Sequence, residues 1–178
     1  MAASPFRPAI DLLAQYAQYH RDRRNIATHF LGIPLIVFAI GVLLARGSLF
    51  GINLAWIVCA ASAAWYLTRG NLVLGLAVSL VNAALIALAI PLAAGSTASW
   101  LGWGLGIFVV GWVLQFIGHY YEGRKPAFVD DLVGLLVGPM FVVAEWLFAA
   151  GWRHDLLTEI ERRVGPTHLR DLAAPVPR

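Results

Sequence analysis

The stretch GNLVLGLAVSLVNAALIALAIPLAAGSTASWLGWGLGIFVVGWVLQFIGHYY, residues 70–121, decides the fold, because its 52 residues include no Asp, Glu, Lys or Arg. A bilayer core about 30 Å thick takes roughly 20 apolar residues as helix. This run holds two such lengths, at 71–93 and 99–117, divided by Pro91 and the turn residues Gly95-Ser96-Thr97. Upstream, residues 25–45 and 47–68 are also free of charge and supply two further candidates, at 26–45 and 49–68. The whole chain is 60% hydrophobic and 13% charged, with mean hydropathy +0.72. A soluble domain is roughly 45–50% apolar and about 25% charged. This composition excludes a disordered chain, a nucleic-acid-binding domain and, with Cys59 as the single cysteine, a disulfide-stapled module. The expected fold is an all-α polytopic membrane bundle.

A fifth apolar segment, 132–150, differs from these four. Gly138-Pro139 interrupts it and Glu145 lies inside it, so the expectation is a broken or re-entrant helix. The domain reading is one membrane domain: an N-terminal amphipathic helix within 1–25, a bundle over 26–150, and a cytoplasmic tail over 151–178. Basic residues concentrate in the N-terminal flank, in the second and fourth loops and in the tail, which places the N-terminus inside. Arginine outnumbers lysine twelve to one, and alanine is abundant. That composition favours a bacterial inner membrane, with the endoplasmic reticulum as the eukaryotic counterpart. Arg21 to Arg24 precede the first long apolar run, against a cleavable signal peptide. Gly102/Gly106 and Gly134/Gly138 have the small-xxx-small spacing of close helix packing, and a homo-oligomer is left open.

This topology brings two polar clusters to one membrane face. The first runs from Tyr16 through Tyr19, His20, Arg24 and Asn25 to His29. Nine residues separate its histidines, which a continuous helix would place on opposite faces. A break between them is therefore expected, with Asn25 capping the first span and His29 in its first turn. In the second cluster Gln115, His119 and Glu122 stand at i, i+4 and i+7, one helical face. Arg124, Lys125 and Asp130-Asp131 follow, the last two read as caps for the next helix. Histidine and carboxylate ligands with open positions are the pattern of non-haem Fe(II) sites, which His20, His29 and His119, helped by Glu122, could supply. The tail histidines His154 and His168 read as surface residues. The chain has no phosphate loop, no His-Glu-x-x-His motif and no nucleophile elbow. Nor has it the paired histidine boxes of membrane di-iron hydroxylases.

The blocks YxxYHRDRRNxxTHFLGIP (16–34) and QFIGHYYEGRKPAFVDDLVGLLVGPMFVVAE (115–145) resemble the 2-hydroxy fatty acid dioxygenase family. They cover about fifty residues, and the part between matches only in hydrophobicity and length. The resemblance implies Fe(II)-dependent conversion of a 2-hydroxy fatty acid, with O2, to the acid one carbon shorter and CO2, a step of fatty acid α-oxidation. It puts His20, His29 and His119 among the iron ligands, and matches Asn25, Glu122 and Glu145 to other recurrent polar positions. Asn25 and Glu122 are the catalytic candidates on this reading. Tyr19, Arg24, Arg124, Lys125 and Glu145 are the candidates for binding substrate, the cations by attracting its carboxylate.

The competing class is a non-enzymatic lipid-binding scaffold or transporter component, which the broken fifth segment also suits. Metal content separates the two. Zinc-dependent hydrolysis at the same ligands is a second enzymatic alternative, to be told apart by which metal activates.

Overall fold

The computed structural model describes residues 6–126 and 132–173 and is helical throughout apart from one tiny hairpin. Helix α1 (Ala9–Ala17) begins after Pro8 and buries Leu12, Leu13, Tyr16 and Ala17. It ends in a tight turn, where the N–H groups of Tyr19 and His20 donate to the carbonyls of Tyr16 and Ala17. Helix α2 (Arg23–Leu44) then starts afresh. Its N-cap is Asp22, not Asn25: the Asp22 backbone is extended, and its side chain accepts the Arg24 N–H at 2.8 Å. The cap therefore falls three residues earlier than expected, and His29 sits in the second turn.

The residues expected to form the second span behave differently. Strands β1 (Ser48–Leu49) and β2 (Ile52–Asn53) make a short antiparallel hairpin, and only then does α3 (Leu54–Leu67) begin. Fourteen residues rise roughly 21 Å, short of a bilayer core. Helix α4 (Leu72–Ala89) runs into a 3₁₀ turn at Ile90–Ala94, where Pro91 stands, and α5 (Thr97–Glu122) follows behind a Ser96 cap. Among the described residues, three segments are thus long and apolar enough to cross a membrane: α2, α4 with its 3₁₀ turn, and α5. Their outer surfaces expose large apolar side chains such as Leu80, Leu88, Val109 and Phe116.

Helix α6 (Gly134–Ala149) passes through Gly138-Pro139 without interruption. The break comes later. Between α6 and α7 (His154–Val164) the chain bends by 117°, so together they form either a broken span or a re-entrant turn. Gly151 and Arg153 take positive φ at that corner. The capping role expected of Asp130-Asp131 lies outside the described residues.

The most extensive packing is between α2 and α5. Its basis is a run of glycines at heptad spacing on α5, Gly104, Gly111 and Gly118, all buried. A Cβ at Gly111 would stand 2.9 Å from the Gly32 carbonyl, and one at Gly118 would collide with Thr28 Oγ1 and Asn25 Oδ1. The Gly102/Gly106 pair expected to serve this purpose faces open space instead. The larger apolar core lies on the other side, where α1, α4, α6 and α7 surround Leu13, Val78, Phe141 and Ile160.

Candidate metal centre

The α1–α2 connector and the last turns of α5 bring His20, His29 and His119 together. They are 0%, 1% and 6% exposed. Ring centroids lie 4.5 Å (His20 to His29), 4.9 Å (His20 to His119) and 5.2 Å (His29 to His119) apart. One ligand atom from each falls within 4.8 Å of the others, a spacing that could hold a metal ion. Tyr16, one turn before His20, stacks on its ring at 4.1 Å and nearly parallel.

The tautomers follow from the acceptors. His20 Nδ1 lies 2.7 Å from the Tyr16 carbonyl and His29 Nδ1 lies 2.9 Å from the Asn25 carbonyl. A carbonyl only accepts, so both Nδ1 atoms carry the hydrogen and both Nε2 atoms carry lone pairs. Those Nε2 atoms face each other at 3.0 Å. Burial, reinforced by the neighbouring His29 and His119, pushes the His20 pKa well below its ordinary value, which favours the neutral ring. Two opposed lone pairs at that distance repel unless a cation lies close to both. Histidine ligands commonly hand their second nitrogen to a backbone carbonyl in this way. In addition, His119 Nδ1 is buried without a hydrogen-bond partner. The donor set fits a metal ion.

Glu122 is turned towards the α1–α2 connector. Its oxygens accept the backbone N–H of Arg21 at 3.0 Å, that of Asp22 at 2.8 Å and Asn25 Nδ2 at 3.0 Å. Asn25 also donates to the Tyr19 carbonyl at 3.0 Å. The end of α5 therefore grips the connector that carries His20. Glu145 lies 4.0 Å from the buried Arg21 guanidinium. Burial lowers the Arg21 pKa, while Glu145 and Glu122 oppose the shift.

The tail closes over the same connector. His168 pairs with Asp22 as a parallel bridge, through His168 N–H to the Arg21 carbonyl and Arg23 N–H to the His168 carbonyl, both at 2.9 Å. Asp22 also accepts the Arg170 N–H and the Arg24 guanidinium. Burial would raise the Asp22 carboxyl, but these hydrogen bonds outweigh it and hold the group down to about 2. Arg124 donates to the Gln18 carbonyl from an exposed position, and Lys125 is exposed. Half-buried Tyr19 packs against the apolar core.

Beside the histidines, α2, α5 and α6 enclose a cleft of ≈ 220 Å³. Its walls are apolar (Ile33, Ile36, Val37, Ile40, Phe108, Trp112), and its polar groups are Tyr16, His29, Gln115 and His119. None of Tyr19, Arg24, Arg124, Lys125 and Glu145 lines it. The sequence reading did not anticipate the grip of Glu122, the Asp22 cap, the stacking of Tyr16 or the docking of the tail. For the Glu122 grip, the one visible signal was its sharing a face with Gly118, His119 and Gln115.

Fold and site together define a class: an all-helical protein of long apolar segments with a buried three-histidine cluster at one end of an apolar cleft. Residues 6–150 match the family described as Mpo1-like, 2-hydroxy-palmitic acid dioxygenase Mpo1-like. The chain is 32% identical over 162 residues to the 2-hydroxy-palmitic acid dioxygenase MPO1 of Saccharomyces cerevisiae, covering 85% of this chain and 88% of the yeast protein. It belongs to the Mpo1-like family. No solved structure matches it.

Proposed function

We propose that the protein is a membrane-embedded, Fe(II)-dependent dioxygenase that shortens 2-hydroxy fatty acids by one carbon. The observation that carries this reading is the buried cluster of His20, His29 and His119, with two Nε2 atoms 3.0 Å apart, beside an apolar cleft. The yeast relative's printed activity supplies the substrate class. The balanced reaction is R–CH(OH)–COOH + O2 → R–COOH + CO2 + H2O. The C1–C2 bond breaks, C2 is oxidised to a carboxyl and O2 takes up the four electrons.

His20, His29 and His119 would hold the iron, whose redox chemistry lets O2 react with the acid and whose free positions suit a chelating 2-hydroxy carboxylate. The rest is the work of the chain. The Tyr16 and Asn25 carbonyls fix the two tautomers, so each Nε2 keeps its lone pair directed into the site. Asn25 and Glu122 act as positioning residues that hold the His20 connector on α5. The apolar walls between α2, α5 and α6 receive the acyl chain and exclude water from the head. Arg24, Arg124 and Lys125 remain outside the cleft and draw the anionic head towards it from the membrane surface. The apolar outer faces of the long helices sit in lipid, which delivers the substrate.

The test is turnover by detergent-purified protein supplied with Fe(II), O2 and 2-hydroxypalmitate. Mass spectrometry should detect pentadecanoate in an amount that depends on iron and oxygen. Absence of product across several chain lengths, in protein loaded with iron, would reject the reading.

A further inference from the structure

The cleft contains a polar group that the histidines do not account for. Gln115 is 5% exposed, and its Nε2 is buried with no hydrogen-bond partner. A buried amide donor without a partner is costly, so a residue in that state invites a ligand. The position is well defined. On α5, Gln115 stands one turn before His119. On α2, its amide occupies the place a side chain at Gly32 would take, since a Cβ there would collide with Gln115 Nε2. Gly32 is itself three residues beyond His29. Gln115 therefore lines the same cleft as His29, His119 and the apolar walls formed by Ile36, Ile40 and Phe108.

We infer that Gln115 is the residue that binds the carboxylate of the substrate, donating from Nε2 to one of its oxygens. This rests on the proposed function and deepens it. A ligand with its alkyl tail along the walls and its head at the histidines must place its first carbons beside this amide. A carboxylate entering an apolar cleft needs a partner for each of its oxygens; an iron held by the histidines would take one, and the arginines and lysine proposed to attract the anion lie outside. The amide NH2 is donor-only and neutral, so it holds the anion without forming a buried ion pair that would impede release. Gln115 is accordingly a determinant of acid recognition, in a position that Gly32 makes possible.

The experiment compares wild type, Gln115→Leu and Gln115→Glu in two ligands of equal length, 2-hydroxypalmitate and hexadecane-1,2-diol, which lacks the carboxylate. Equilibrium binding is measured for both ligands, and KM, kcat and bound iron for the acid. Gln115→Leu should raise the KM and the dissociation constant for the acid about tenfold, equivalent to one lost hydrogen bond to a charge. Gln115→Glu should raise them further, while diol binding and iron content stay at wild-type levels. Loss of packing alone would weaken both ligands equally, and that result overturns the assignment. Unchanged acid binding in Gln115→Leu overturns it too. If wild type binds the acid but does not turn it over, the dioxygenase reading fails, and the acid-to-diol ratio still decides the role of Gln115.

Discussion

Glu122 holds the backbone N–H of Arg21 through both carboxylate oxygens at 3.0 Å, joining positions 101 residues apart in the chain. With Asp22 N–H and Asn25 Nδ2 as its other donors, one side chain fixes the loop on which His20 is carried. The separation of the three rings is therefore set at the junction of α1, α2 and α5, and not by any single helix.

Replacing Glu122 by Ala would leave the buried N–H groups of Arg21 and Asp22 unsatisfied, while the Asn25 amide would keep only its bond to the Tyr19 carbonyl. At about 1–3 kcal/mol each, the cost is several kcal/mol, a large share of the about 5–15 kcal/mol typical of a whole domain. Glu122→Gln keeps one acceptor oxygen but turns an NH2 towards backbone donors, so it should recover only part of the loss. Thermal unfolding in detergent and metal content should fall in the order wild type, Gln, Ala. Equal iron retention in all three would show that the grip does not set the histidine geometry.

The glycines of α5 divide into two sets with opposite expected behaviour. Gly118→Ala places a methyl against Thr28 and Asn25, and Gly111→Ala against the Gly32 backbone. Overpacking of this kind costs about 1–3 kcal/mol. Gly118→Ala should also weaken metal binding, because it spreads α2 and α5 between His29 and His119. Gly106→Ala meets nothing within 4 Å and should be neutral. Thermal midpoints of the three variants check this, and destabilisation by Gly106→Ala alone would reverse the packing assignment.

The tail acts on the centre through Asp22. Asp22→Ala removes the cap of α2, at about 0.5–2 kcal/mol, together with the partner of Arg24 and of the Arg170 amide. Arg170→Ala leaves that amide in place and removes only the guanidinium contacts to the Tyr120 and Tyr121 carbonyls. Hydrogen exchange of the backbone amides at 20–24 should therefore accelerate more in Asp22→Ala than in Arg170→Ala. Truncation after residue 150 should accelerate them as well, because it removes the His168 pairing. Wild-type protection in the truncated chain would show that the tail is a passive appendage.

Much of this was legible in the residues themselves. The charge-free runs 25–45 and 70–121 gave the long helices, whereas 47–68 gave a hairpin and a helix of 14 residues, and a separation of nine between His20 and His29 required the chain to break there. The i, i+4, i+7 face placed Gln115, His119 and Glu122 together, and all three are buried as a group. What was hidden depended on contacts between distant segments. The acceptor role of Glu122 is satisfied by backbone N–H groups, which have no side-chain signature. Asp22 and Asn25 are both good caps, and local preference could not choose between them; the tail bridge and the Arg24 pair favour Asp22. Gly104, Gly111 and Gly118 stand at sevenfold spacing in plain view, yet the four-residue motif of Gly102 and Gly106 was the more familiar pattern. Pro139 suggested a break, but α6 continues through it and the chain turns instead at Gly151 to Arg153.

The central claim is that His20, His29 and His119 form one metal centre. Its most direct test is the iron content of purified protein, measured for wild type, for each of the three single alanine variants and for His154→Ala as an exposed control. Stoichiometric iron is expected in wild type and in His154→Ala, and loss of iron in His20→Ala, His29→Ala and His119→Ala while each protein still inserts into the membrane. Full iron in any of those three variants, or a wild type that retains none after reconstitution, would contradict it.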